Sequence, residues 1–126
     1  MTIRWASVKQ ADGQETLVQR ARWCDSFLCR LRGLTFRRRL DLQDSLILVE
    51  GTESVTGSSI HMFFVFFPIA AIWIDGAGRV VDSQLARPFR PLYVPQAPAR
   101  YILEGPPSLL DVFHRGDKVR FDFLSS

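Results

Sequence analysis

The chain has no apolar run long enough for a membrane-spanning helix. Its most apolar stretch, Ile60 to Ile74, carries one ionisable side chain, His61. A spanning helix needs about 20 such residues. Pro68 also falls mid-run, where it would remove a helical hydrogen bond and clash with the preceding turn. Cysteine is scarce: Cys24 and Cys29 stand with four residues between them in a C-x4-C spacing. Zinc sites usually draw on four ligands, and only the scattered His61 and His114 could complete a set, so no metal is expected. If residues 22–32 are helical, the two thiols diverge, and no bridge is expected either. A glycine-rich phosphate loop, a G-x-S-x-G elbow and an H-x-x-x-H pair are all missing, and no cofactor is implied. The N-terminal residues alternate and lack the layout of a signal peptide, which predicts a cytoplasmic protein. The charge excess is mild, +3 with a pI near 9.3. It permits anionic partners without demanding them.

What is present suits one globular domain over residues 1–126. The hydrophobic content of 47% argues against disorder. The central stretch is aromatic and β-branched. It predicts strands over Ser59–Phe66 and Ile69–Asp75, bent at Phe67-Pro68, with both faces apolar and so both covered. Asp75-Gly76-Ala77-Gly78 reads as a hairpin turn, with Arg79-Val80-Val81-Asp82 returning as a strand. Ahead of it, strands are expected at Thr2–Lys9 and Glu15–Arg20 around an Asp12-Gly13 turn. The spacing of Trp23, Phe27, Leu28, Leu31 and Leu34 predicts a helix over 22–34, with Gly33 at its end. Leu46 to Glu50 reads as a strand and Gly51 to Ser58 as a polar loop. Four prolines between Arg87 and Pro98 exclude helix and paired strand there, leaving an ordered extended loop. A strand at Arg100–Glu104, a short helix at 109–113 and a last strand at Lys118–Phe123 complete the chain. Many short strands with Gly/Pro turns predict an all-β sandwich or barrel of jelly-roll type with one or two short helices.

The polar candidates for ligand contact are Arg32, Ser59, His61, Glu104 and Asp117. His61 stands at the head of the apolar run and could act as a general base, or it could simply be satisfied by its strand. Glu104 ends a strand before Gly-Pro-Pro. Asp117 could hydrogen-bond its own turn. Arg30, Arg37, Arg38 and Arg39 could hold an anion, since guanidinium forks match phosphate oxygens. A nucleic-acid site usually adds aromatic platforms, and Phe36 alone lies beside them, so nucleic acid is not the expected partner. A membrane is not expected either.

The order of landmarks resembles a known family. Arg32-Gly33-Leu34 follows a short helix; then come Ile60-His61-Met62-Phe63, Phe67-Pro68-Ile69, Ile74-Asp75 with its glycine turn, Arg79-Val80-Val81, Tyr101-Ile102-Leu103-Glu104-Gly105 and Gly116-Asp117. From about Trp23 to Phe123 this looks like the DUF192 family, also called UPF0127. The resemblance implies a compact all-β fold and no established activity. Many relatives carry an aspartate two residues after the central proline, where this chain has Ala70. Many have a polar or basic residue shortly before that proline, where Phe63 to Phe67 is wholly apolar. The reading that follows is a non-catalytic binding domain for a small molecule or carbohydrate. An interaction or homodimer module using aromatic surface is the alternative, and a hydrolase built around His61 with Glu104 or Asp117 is a third.

Overall fold

The structure is a computed structural model that describes residues 3–34 and 45–125, with the backbone alone for Phe27, Leu31 and Arg32. The fold is all-β. Strands β1 (Arg4–Gln10), β2 (Thr16–Cys24), β3 (Ser45–Ser54), β4 (Ile69–Ile74), β5 (Val80–Ala86), β6 (Ala99–Gly105) and β7 (Val119–Phe123) form one sheet. Their order is β5-β4-β6-β3-β2-β1-β7. All neighbours are antiparallel except β2 and β3. The sheet curls so that its two edges touch: Arg79 bridges Lys118, and Val119 N–H donates to the Gly78 carbonyl at 2.8 Å. One short helix, α1 (Phe27–Arg32), and a 3-10 turn at Pro107–Asp111 complete the described elements.

Every residue of β4 is buried. Ile69, Ala71 and Trp73 join Leu46, Leu48 and Ile102 on one face; Ala70, Ile72 and Ile74 join Ile47, Leu103 and Phe113 on the other. The period-2 alternation therefore feeds two cores, one on each side of the sheet. Two-sided burial holds as expected, but for β4 rather than for the residues before Pro68.

Residues 61–68 do not form the predicted strand. Ile60 makes a single bridge to Tyr93. Met62 N–H then donates to the Arg90 carbonyl, and the Met62 carbonyl accepts from both Phe89 and Val65. Val65 turns back on Met62, Phe64 has φ 59°, and no ladder can run through such a backbone. The helix is also shorter than its spacing predicts. Residues 21–24 pair in parallel with Ser45–Leu48, so Trp23 belongs to a strand, where its ring meets Tyr101, Phe121 and Phe123. Ser26 starts the helix instead, its Oγ accepting from Cys29 N–H. This changes the cysteine geometry. Cys24 closes β2, Cys29 lies in the first turn of α1, their Cα atoms are 5.5 Å apart, and the two form a disulfide that sequence spacing did not predict.

The proline-rich segment 87–98 is ordered and pinned. The buried Asp82 carboxylate accepts from Gln96 N–H, Gln84 and Ser83 N–H, and the Tyr93 hydroxyl accepts from Arg87 N–H at 2.8 Å. The β4–β5 hairpin closes as expected, with Asp75 Oδ1 accepting from the backbone of Ala77 and Arg79. β3 runs on to Ser54, so half of the predicted polar loop is strand.

Candidate functional site

A cleft of about 80 Å³ opens on the face of the sheet that α1 covers. Glu104 lies on β6, paired with Leu46 on one side and Ala71 on the other. Strand alternation puts it on the same face as Ile102. The helix end supplies Arg30, Gly33 and Leu34; β3 supplies Leu48 and Glu50; the segment after β3 supplies Ser59, His61, Met62 and Val65. Aliphatic side chains, Leu34, Leu48, Ile60, Val65, Ile69 and Ile102 among them, share the lining with the polar Arg30, Glu50, Ser59, His61 and Glu104, a mixture of apolar walls and convergent polar groups that suits a binding site.

Glu104 is the distinctive group. It is 5% exposed. Burial, which disfavours the charged form, pushes its carboxyl up to about 7. Gly33 ends the helix beside it, and the backbone conformation there rather than a lack of space calls for glycine. A side chain there would place a Cβ 3.7 Å from Glu104 Oε1, and φ 49°, ψ −126° is a backbone that glycine alone adopts readily. Arg30 is locked by donating from Nη1 to the Val49 carbonyl at 2.8 Å. The Ser59 hydroxyl donates to the Val55 carbonyl at 2.9 Å. His61 accepts at Nδ1 from Phe63 N–H, and its ring packs 5.6 Å from that of Phe63. The Trp73 indole donates to the Ser58 carbonyl at 2.7 Å, fixing the base of the segment that carries Ser59 and His61.

Of the residues singled out from sequence, Ser59, His61, Glu104 and Arg30 converge here. Arg30 does so apart from the cluster it was grouped with: Arg37, Arg38 and Arg39 lie outside the described residues, as does the Arg32 side chain. Asp117 is elsewhere. It accepts from His114 N–H within its own turn, beside the Asp75–Arg79 end of the hairpin, whereas Glu104 sits opposite the start of β4. A His61–Asp117 catalytic pair is therefore not assembled. Glu50 and Gly33 were not foreseen as cleft residues. Gly33 carried a signal, since a glycine after a helix marks a tight backbone, but nothing local marks what that backbone faces. Among the described residues no cluster of three or more His, Cys, Asp or Glu could hold a metal ion, and no helix is long and apolar enough to cross a membrane.

Fold and cleft together define a small all-β domain with a polar-floored, apolar-walled cleft. The comparisons assign its lineage. Residues 7–121 match the model of DUF192, described as "Uncharacterized ACR". A UPF0127 protein of Thermococcus gammatolerans is 42% identical over 101 residues, covering 78% of this chain and 63% of that protein. A UPF0127 protein of Pyrococcus horikoshii is 37% identical over 102 residues, covering 79% of this chain and 85% of that one. The chain belongs to the DUF192 family. It spans less than two thirds of the length of two Thermococcus relatives, 63% of one and 53% of the other. The fold recurs in two crystal structures. One is a candidate transcription regulator of Sinorhizobium meliloti, with a TM-score of 0.78 at 17% identity, covering 95% of this chain and 94% of that one. The other is a protein of unknown function from Novosphingobium aromaticivorans, with a TM-score of 0.73 at 20% identity, covering 94% and 84%.

Proposed function

We propose that this domain binds a small molecule by drawing one polar group of it into the cleft above Glu104. The observation that carries this reading is convergence. The buried Glu104 carboxyl, Arg30, Ser59 and His61 reach one aliphatic-walled cleft from three separate stretches of chain. The size narrows the ligand. About 80 Å³ holds a few waters or one substituent, against roughly 300 Å³ or more for a site that encloses a whole drug-sized ligand. A hydroxyl or amino group fits, and a sugar would present one such group while its ring stayed outside. Glu104 accepts from that donor, and Arg30 and His61 border it. Catalysis is not part of the reading, because the one hydroxyl nucleophile among the described cleft residues, Ser59, is committed to the Val55 carbonyl.

The test is a thermal-shift screen of sugars, polyols and small amines against the protein and a Glu104→Gln variant. A ligand that binds only the folded state raises Tm. The expected result is a shift with one chemical class that Glu104→Gln reduces at least tenfold in apparent affinity. A shift identical in both proteins places the ligand elsewhere and sinks the assignment. The expected cytoplasmic location enters here as a proposal too, with thiol counting on protein from cells as its check. The Cys24–Cys29 disulfide counts against it, because disulfides are rare in reducing compartments, so the two must be recovered as thiols for it to stand.

A further inference from the structure

The segment 61–68 is the aromatic heart of the sequence, yet it lies on the surface. Phe63, Phe66 and Phe89 are each about half exposed, and Leu92 more so. They come from two loops at one end of the β4–β5 hairpin: one enters Ile69 and the other leaves Ala86, and those two residues pair. The loops are zipped together. Ile60 and Tyr93 exchange both backbone bonds, Met62 N–H donates to Arg90, and Phe89 N–H donates to Met62. The apolar side chains therefore stand on two loops braced against each other by the backbone bonds of Ile60, Met62, Phe89 and Tyr93.

The charge around this lip is one-sided. Residues 54–74 and 83–103 contain no Asp or Glu, although the chain has 13. Arg87 and Arg90 are exposed beside Phe89. We propose that this lip is a peripheral membrane-docking surface: Phe63, Phe66, Phe89 and Leu92 enter the interface of an anionic bilayer while Arg87 and Arg90 meet its headgroups. Phenylalanine and leucine on one side with arginine at the edge is the pattern of an interfacial anchor, and anionic leaflets attract such basic residues. A bilayer interface takes up such apolar side chains without asking for a polar complement from them.

Other occupants fit less well. A protein interface carries about one hydrogen bond per 100–200 Å², but Met62 to Phe67 offers no side-chain donor or acceptor beyond a thioether. A single nucleic-acid strand needs open ring faces to stack on, whereas Phe66 and Phe89 meet edge to face at 5.3 Å. The inference stands apart from the cleft, since neither Phe66 nor Phe89 lines it.

The experiment is flotation of the full chain with vesicles of equal parts phosphatidylcholine and phosphatidylglycerol, and with phosphatidylcholine alone. The wild type should float with the mixed vesicles and much less with the neutral ones. Arg87→Gln with Arg90→Gln should lower binding to the mixed vesicles by roughly fivefold per arginine. Phe66→Ser with Phe89→Asn should abolish flotation. Phe89 has φ 63°, a backbone asparagine accepts more readily than phenylalanine, so this variant should fold as well as the wild type, with Tm as the control. Three results would overturn the proposal. The wild type does not float; or the Phe66/Phe89 variant floats equally; or the wild type forms a dimer by light scattering that this variant abolishes while vesicles stay unbound, which would make the lip a contact between copies.

Discussion

Glu104 couples the cleft to pH. Its folded-state value lies near 7 against an ordinary 4.5. Between those values the folded protein holds a proton that the unfolded chain has released. Stability therefore falls as pH rises from about 4.5 through about 7 and is flat above that. The shift corresponds to roughly 3 kcal/mol. Glu104→Gln keeps the shape and removes the titration. Urea denaturation at about pH 5 and about pH 8 should show the wild type losing stability relative to the variant, and parallel curves would count against a buried, neutral Glu104. Gly33 makes the complementary case. Gly33→Ala forces a Cβ into an unfavourable backbone 3.7 Å from Glu104 Oε1. A loss of about 1–2 kcal/mol in unfolding free energy, read from urea denaturation, is expected, together with weaker binding in the cleft.

At the scale of elements, the disulfide decides how firmly α1 is held. The helix has six residues, too few to be stable alone. Its anchors are the Cys24–Cys29 bond, the Ser26 cap and the Arg30 bond to Val49. A bridge across a five-residue separation contributes about 2 kcal/mol by loop closure. Adding reductant should lower the urea midpoint, with that loss of unfolding free energy, and weaken cleft binding, because Arg30 and Gly33 ride on α1. An unchanged midpoint with two free thiols counted would show that α1 is held without it. The same region shows where sequence reading stops. Spacings of three and four from Trp23 to Leu34 mimic a helix face, yet Leu28 is 72% exposed and Trp23 is in a strand, because parallel pairing with β3 outweighs local periodicity. Tertiary context settles that competition, and a window of sequence does not contain it. The run Ile60 to Phe67 fails for a related reason. Composition reports β-propensity, but a strand needs a neighbour, and Met62 gives its backbone groups to Arg90, Phe89 and Val65. The hairpin at Asp75–Arg79, the strands from β4 onward and the family were legible, since turn chemistry and alternation are local. Of the cleft, Ser59, His61, Glu104 and Arg30 were legible as polar residues next to apolar runs. Their meeting was not, because it depends on β6 lying between β3 and β4. The departures at the central motif also resolve differently: Ala70 is fully buried in the core, while Phe66 is on the surface.

The whole molecule depends on a seam. Seven strands in one sheet leave β5 and β7 as edges, and an exposed edge invites pairing with another chain. Here the edges meet at one end. Val80 N–H donates to Asp117, Gly116 N–H to Val80 and Val119 N–H to Gly78, each at 2.8 Å. Gly78 is what permits the approach. Its φ is 89°, and an added Cβ would lie 2.5 Å from the Val119 carbonyl oxygen, closer than any real contact. Gly116 provides an internal control, with φ 98° but open space where a Cβ would stand. Gly116→Ala should therefore show the conformational cost alone, about 1 kcal/mol. Gly78→Ala should cost that plus the displacement of β7, at least about 2 kcal/mol in all, or roughly 8 °C in Tm. Thermal melts of the two variants side by side measure the difference. If Gly78→Ala costs no more than Gly116→Ala, β5 and β7 are not closed against each other in solution. If it costs more and also raises the aggregation rate, the seam both stabilises the curled sheet and hides its edges.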